Sequence, residues 1–234
     1  MKRLLSGLLI GALSFSAAAC TPTTQNEHAP TVKPEAIDDE RLHGEPFQGF
    51  EKTKLCEATY AATIDEMNIE SDDAPLDYPS NSSGKEQVFC ADENYLPWDS
   101  ANAEIIFKVG FATIPPGKVD TVKQRTAQEG GPLDACNFIF AAGFGSDGTE
   151  QEIAGHKYCN NDQLPDSSGY LIDARFGHRG TAVSIWIGVY AKERSDLPDG
   201  EELESIDADA SDIEAIRDAA LTAFFTELDR IDRG

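Results

Sequence analysis

The residues of this chain whose types could do chemistry are two histidines, four cysteines, a glycine-rich run and an acidic stretch, and their spacings point in different directions. His156 and His178 each follow a glycine. An imidazole acts as a general base only when a nucleophile lies on one side of it and an orienting group on the other. Asp147 and Asp173 are the candidate orienting carboxylates, but nothing local ties either to a histidine, so both read as turn histidines. Gly143-Phe144-Gly145-Ser146-Asp147-Gly148 satisfies Gly-x-Gly-x-x-Gly. A dinucleotide loop of that form must run into a helix whose N-terminus holds the pyrophosphate. The residues that follow, TEQEIAGHKYC, do not read as a helix, so a reverse turn is expected. Ser146 fails as a nucleophile-elbow serine because Phe144 stands where glycine is required.

Cys56, Cys90, Cys136 and Cys159 are widely spaced and include no Cys-x-x-Cys, which argues against a redox pair or a zinc site. In an exported chain they form two disulfides. Three pairings are open to four cysteines. Pairing neighbours in sequence gives Cys56 with Cys90 and Cys136 with Cys159, each closing a loop that contributes about 3 to 4 kcal/mol through loss of unfolded-chain entropy. Glu193 to Asp212 holds nine carboxylates and one arginine. Within and just beyond it, Asp207, Asp209, Ser211 and Asp218 fall at positions 1, 3, 5 and 12 of a calcium-loop count. Asp212 occupies the place of the turn glycine, and a helix starts inside the count, so a solvated linker is expected instead. No cofactor is expected.

The chain opens with Lys2 and Arg3, then an apolar run from Leu4 to Phe15 that is too short to cross a bilayer, then small residues. Ala17-Ala18-Ala19-Cys20 resembles the lipobox of bacterial lipoproteins, a resemblance that covers the N-terminal signal alone. It implies that residues 1–19 are removed and that Cys20 carries a diacylglycerol and a fatty acyl group such as palmitate. Thr21 in place of Asp resembles the outer-membrane sorting signal, which in a Gram-negative host would leave the protein facing the periplasm. Ala17-x-Ala19 equally suits the peptidase that releases soluble exported proteins. Cysteine parity favours the lipid, since acylating Cys20 leaves an even four.

Loss of residues 1–19 removes two basic residues and no acidic one, taking the formal charge from −23 to −25. Such a field repels nucleic acid phosphates and excludes nucleic acid as a natural partner. A basic or other envelope protein partner, besides the membrane reached through Cys20, is the class that remains.

Residues 20–49 carry four prolines and little apolar pattern, and read as a disordered tether spanning about 30 Å. His28 and His43 fall in it. Residues 50–234, with most of the twelve phenylalanines, are expected to form a single domain. Its first element is ambiguous: Cys56, Ala58, Tyr60, Ala62 and Ile64 alternate, while Leu55, Ala58, Ala62 and Ile69 fit a loose helical stripe. Residues 68–85 read as a polar loop, 87–91 and 103–114 as strands, 118–129 as an exposed helix, and 136–144 as a strand. Residues 170–191 form a hairpin turning at Gly177-His178-Arg179-Gly180, whose second strand places Trp186 and Tyr190 together as a packing surface or a docking patch. A capping box at Ser211-x-x-Glu214 opens an amphipathic helix built on Ile213, Ile216, Ala220, Phe224, Leu228 and Ile231, with Arg217 and Glu227 expected to reach water at its edge. The fold class is therefore α+β: a mainly antiparallel sheet of about five strands packed by the C-terminal helix. The expected function is a non-catalytic envelope-binding or structural domain; the alternative is an envelope hydrolase with His156 or His178 as base.

Overall fold

A computed structural model describes residues 39–69, 76, 78, 88–94, 103–145, 148–166, 169–191 and 210–234. The signal, Cys20, most of the 68–85 loop, Ser146, Asp147, Asp207 and Asp209 lie outside the described residues.

The fold is α+β. A 3-10 turn at Glu40–Leu42 precedes helix α1 (Gly49–Glu66), strands β1 (Val88–Asn94) and β2 (Ala103–Thr113), and helices α2 (Pro116–Glu129) and α3 (Ala135–Ala142). Strands β3 (Thr149–Ile153), β4 (His156–Asn160), β5 (Gln163–Asp166), β6 (Gly169–His178) and β7 (Thr181–Ala191) follow, and helix α4 (Ala210–Arg233) closes the chain. The strands form one sheet in the order β1-β2-β7-β6-β4-β3, with β5 paired to β6, and every pairing is antiparallel.

The sheet has seven strands rather than about five, because the loss of one expected strand is outweighed by three unforeseen ones, β3, β4 and β5. Residues 136–144 are not a strand but α3. Its Phe138, Ile139, Ala141 and Ala142 are buried while Phe140 is 54 % exposed, a helical period that the alternation of phenylalanines concealed. The ends carried the signal. The Asp134 carboxylate accepts from the Asn137 N–H at 2.7 Å, and Gly143 takes the left-handed C-cap conformation at φ 90°. Conversely β3 and β4 are strands built largely of polar residues and joined at Ala154-Gly155, so no apolar alternation marks them.

In α1 the four-residue spacing of Cys56, Tyr60 and Ile64 suits either period, and the burial of Leu55, Thr59 and Thr63 selects the helix. Thr59 and Thr63 donate their hydroxyls to Leu55 O and Thr59 O, at 2.6 and 2.8 Å, which satisfies both inside an apolar interface. The hairpin turn is tighter than expected. His178 still pairs with Thr181, leaving Arg179 and Gly180 as a two-residue turn, both at positive φ. Helix α4 starts at Ala210, so Ser211 lies within its first turn rather than before it.

One face of the sheet packs Phe107, Val109, Phe111, Ile172, Phe176, Ile185 and Ile187 against Leu55 and Tyr60 of α1 and Phe224, Phe225 and Leu228 of α4. The other face carries α2 and α3 at one end, with Val122, Phe138, Ile139 and Ala142 over Ala182. Gly177 lies under the Phe138 ring, where any Cβ would clash. Residues 39–49, assigned to the tether from their composition, are packed onto the domain. Asp39 and Phe47 are buried, the Asp39 carboxylate binds Arg41, and Arg41 donates to Leu133 O at 2.6 Å with its guanidinium 4.1 Å from the Phe138 ring. A few specific contacts, rather than apolar periodicity, order this segment.

Candidate functional site

Strands β4 and β6 carry His156 and His178 to the last two turns of α4, not to Asp173. His156 Nε2 is 2.9 Å from Asp229 Oδ1, and its ring stacks on Phe225 at 4.5 Å. His178 Nε2 is 2.9 Å from Asp232 Oδ2 without good hydrogen-bond alignment. Arg179 bridges Asp232 to Glu51 of α1. The imidazoles thus clasp α4 to the sheet, and Arg179 joins it to the start of α1. Among the described residues, no hydrogen bond joins either ring to a serine, threonine or cysteine, and neither ring lines a described cavity.

Burial holds the His178 pKa below its ordinary value, opposed by the Asp232 carboxylate. The unfolded chain therefore takes up this proton before the folded chain does. The stability His178 contributes is present above about pH 6.5 and is lost as pH falls from there through the folded pKa. Melting temperatures from pH 8 to 5 should fall less steeply for His178→Asn than for the parent; equal slopes would refute this.

The glycine-rich run is a clasp of another kind. Gly143 caps α3, and the carbonyls of Phe144 and Gly145 accept from Arg175 Nη1 at 2.6 and 3.0 Å. The loop presents acceptors to a cation and leads into β3, the opposite of a phosphate cradle. Gly148 is required by close approach, since a Cβ there would meet Asn160 O.

Arg175 belongs to a buried polar network that sequence reasoning missed, because Asp173 was weighed only as a histidine partner. Asp173 is 3 % exposed. Its Oδ1 accepts from Trp186 Nε1 at 2.7 Å and Arg175 Nε at 2.8 Å; its Oδ2 accepts from Arg175 Nη2 at 2.9 Å and Asn161 Nδ2 at 3.3 Å. Trp186 is therefore a packed residue, with the Arg175 guanidinium 5.4 Å from its ring. The network continues across the sheet. Asp162 accepts from the Asp173 N–H at 3.1 Å and from Arg217 of α4 at 3.1 Å. Burial pushes the Asp162 carboxyl above its usual range, although the Asp173 N–H and Arg217 pull it down. Arg217 does not reach for water; it is an anchor between helix and sheet. Glu227 pairs with Arg230 at 2.8 Å.

Asp218 pairs with Arg217 on α4, and the helix from Ala210 onward occupies most of the would-be calcium loop. That winding places Asp218 on a helix rather than at the end of a loop, while Asp207 and Asp209 lie outside the described residues. Among the described residues no cluster of three or more His, Cys, Asp or Glu side chains is arranged to hold a metal. No described helix is long and apolar enough to cross a membrane.

A cavity of about 450 Å³ lies where α2, α3 and the start of β3 meet, lined by Arg125, Asp134, Cys136, Asn137, Phe140, Gly148 and Glu150. The structure bonds Cys136 to Cys159 at its wall, and Cys56 to Cys90 between α1 and β1. Reading residues 136–144 as a strand hid this cavity, because only a helix puts Cys136, Asn137 and Phe140 on one side. It is an open hollow with room for a small ligand, whereas a second, partly open hollow beside Phe144 and Arg175 holds at most a water. Comparison with protein-family models, curated proteins and solved structures gives no match to this chain.

Proposed function

We propose that this chain is an exported cell-envelope lipoprotein, anchored through Cys20, whose acidic domain binds another envelope component without catalysis. The observation that carries the anchor is cysteine bookkeeping. The four cysteines of the domain bond to one another, which suits an oxidising compartment and leaves Cys20, after Ala17-Ala18-Ala19, for acylation. In a Gram-negative host, Thr21 favours the outer membrane and a domain facing the periplasm. The binding role is supported by where the polar chemistry goes: the histidines are tied to α4, and Asp173, Arg175 and Arg217 to the packing of the sheet. The formal charge of −25 after processing favours a basic protein partner.

Metabolic labelling with palmitate should mark the parent chain, and Cys20→Ala should abolish the label and shift the protein out of the membrane fraction. A Cys20→Ala chain that stayed with the membrane would defeat the anchor. One observation favours a hydrolase as the second reading, the 2.9 Å contact of His156 with Asp229, a base beside an orienting carboxylate. It requires a nucleophile at Nδ1, in the plane of the ring, and among the described residues no serine, threonine or cysteine is hydrogen-bonded there, while Phe225 covers a face of the ring.

A further inference from the structure

We infer that the free edge of β3 takes up an extended basic segment of a partner protein as a further strand of the sheet, an inference that rests on the non-catalytic binding reading and says what is bound and where. β3 ends the sheet. It pairs with β4 alone, and among the described residues no backbone hydrogen bond from another element reaches its outer side. An unpaired edge of this kind is a template for another strand.

The register fixes which backbone groups are free. Ala154 and Gly155, at φ 51° and 80°, make a two-residue turn, so the flanking Ile153 and His156 exchange both their N–H and C=O groups across the hairpin. By alternation Gln151 does so with Tyr158, and Thr149 with Asn160. The N–H and C=O groups of Glu150 and Glu152 therefore point away from β4. Cys159, opposite Glu150, turns its own the other way, towards Arg175 of β6. Open edges are commonly blunted by a bulge, a proline or lysines, whereas β3 keeps five pairs in unbroken register and has neither proline nor lysine. Only its carboxylates guard it.

Charge selects the occupant. Glu150 and Glu152 share one face of the hairpin with Cys159, which is bonded to Cys136 of α3, and with Lys157; Asp134 lines the same hollow as Glu150. Among the described residues these three carboxylates meet two bases, Lys157, bonded to Glu150 at 2.8 Å, and Arg125, 5.3 Å from the Phe140 ring; Arg41 is already neutralised by Asp39. A second copy of this chain would bring the same carboxylates and a formal charge of −25 to the edge, and is repelled. A basic strand is attracted. In antiparallel addition the partner residues opposite Glu150 and Glu152 are two apart and project onto the same face, so lysine or arginine there meets a carboxylate in each pair. The Phe140 ring, 54 % exposed at the hollow that Glu150 lines, offers a surface to the apolar stem of such a side chain. The segment recognised thus carries basic residues at alternate positions.

The test is fluorescence anisotropy of a short labelled peptide, in which lysine alternates with valine or threonine, titrated with the purified full chain. Binding with a Kd on the order of 100 μM or tighter is expected. Methylating the lysine backbone amides keeps the charge but blocks the ladder, and should weaken binding about tenfold or more. Glu152→Lys should weaken it about fivefold or more, while Glu66→Lys, the same charge change at an exposed position of α1, should alter it by less than about twofold. Circular dichroism checks that both variants are folded. Equal binding of the methylated peptide, or equal effects of the two variants, would overturn the inference. So would a dimer of the parent chain that the peptide fails to dissociate, which would give the edge to a second copy. A chain that is labelled by palmitate yet ignores the peptide would overturn the strand site while leaving the anchored binding domain intact.

Discussion

Asp173→Ala should lower the folding free energy by about 3 to 5 kcal/mol, the range for removing one partner of a buried, hydrogen-bonded charge pair. The loss is large because the carboxylate serves three side chains at once: Trp186 donates to it from the neighbouring strand β7, Arg175 from β6 itself and Asn161 from the β4–β5 connection. Without it the Arg175 guanidinium, 16 % exposed, loses two hydrogen bonds from its Nε and Nη2 while its Nη1 stays on the carbonyls of Phe144 and Gly145. The Trp186 N–H loses its acceptor altogether. Asp173→Asn retains one acceptor and nearly the same shape, and should cost less. Urea unfolding of the two variants beside the parent measures the difference; a loss under about 1 kcal/mol for Asp173→Ala would mean that water replaces the carboxylate and the network contributes little. The same variant should loosen the glycine-rich run, since Arg175 would no longer be held against it.

What the residue order discloses about this fold follows from which forces are local. Strand β7 is legible because Val183, Ile185, Ile187 and Val189 must all meet one apolar layer, and α4 because its stripe repeats over about five turns. Helix α3 is illegible by periodicity because eight residues with three phenylalanines nearby satisfy both periods, and only Asp134 and Gly143 at its ends distinguish them. The β3–β4 hairpin is hidden because its faces are polar or half-exposed. The first ten residues of the folded part are hidden because Arg41 orders them through contacts more than ninety positions away. The polar sites suffer most from this blindness. Asp229 and Asp232 lie 73 and 54 positions from the histidines they meet, and no motif spans such a gap. Arg217 could be recognised only as an interruption of an apolar stripe; its partner Asp162 belongs to a turn whose strands were not foreseen.

Removing the bond between α1 and β1, with Cys56→Ala and Cys90→Ala together, should cost about 3 to 4 kcal/mol. The bond closes a loop with a sequence separation of 34, and both sulfurs sit in the main core at zero exposure. Around it, α1 touches the sheet through a narrow set of side chains, Leu55, Tyr60 and Ile64 among them, and reaches the rest of the domain chiefly through α4. Releasing the cross-link frees the chain between α1 and β1 in the unfolded state, and it also removes the disulfide that pins that helix to the edge of the sheet. Against a total stability of about 5 to 15 kcal/mol for a domain of this kind, such a loss is a large fraction, and at the low end of the range it leaves only about 1 to 2 kcal/mol. Chemical denaturation of the paired variant, beside the parent with and without reductant, tests it. The reduced parent should lose more than the variant, because Cys136–Cys159 is cut as well. A variant within about 1 kcal/mol of the oxidised parent would show that the cross-link is dispensable, and with it would go the argument that this domain is built to fold in an oxidising compartment.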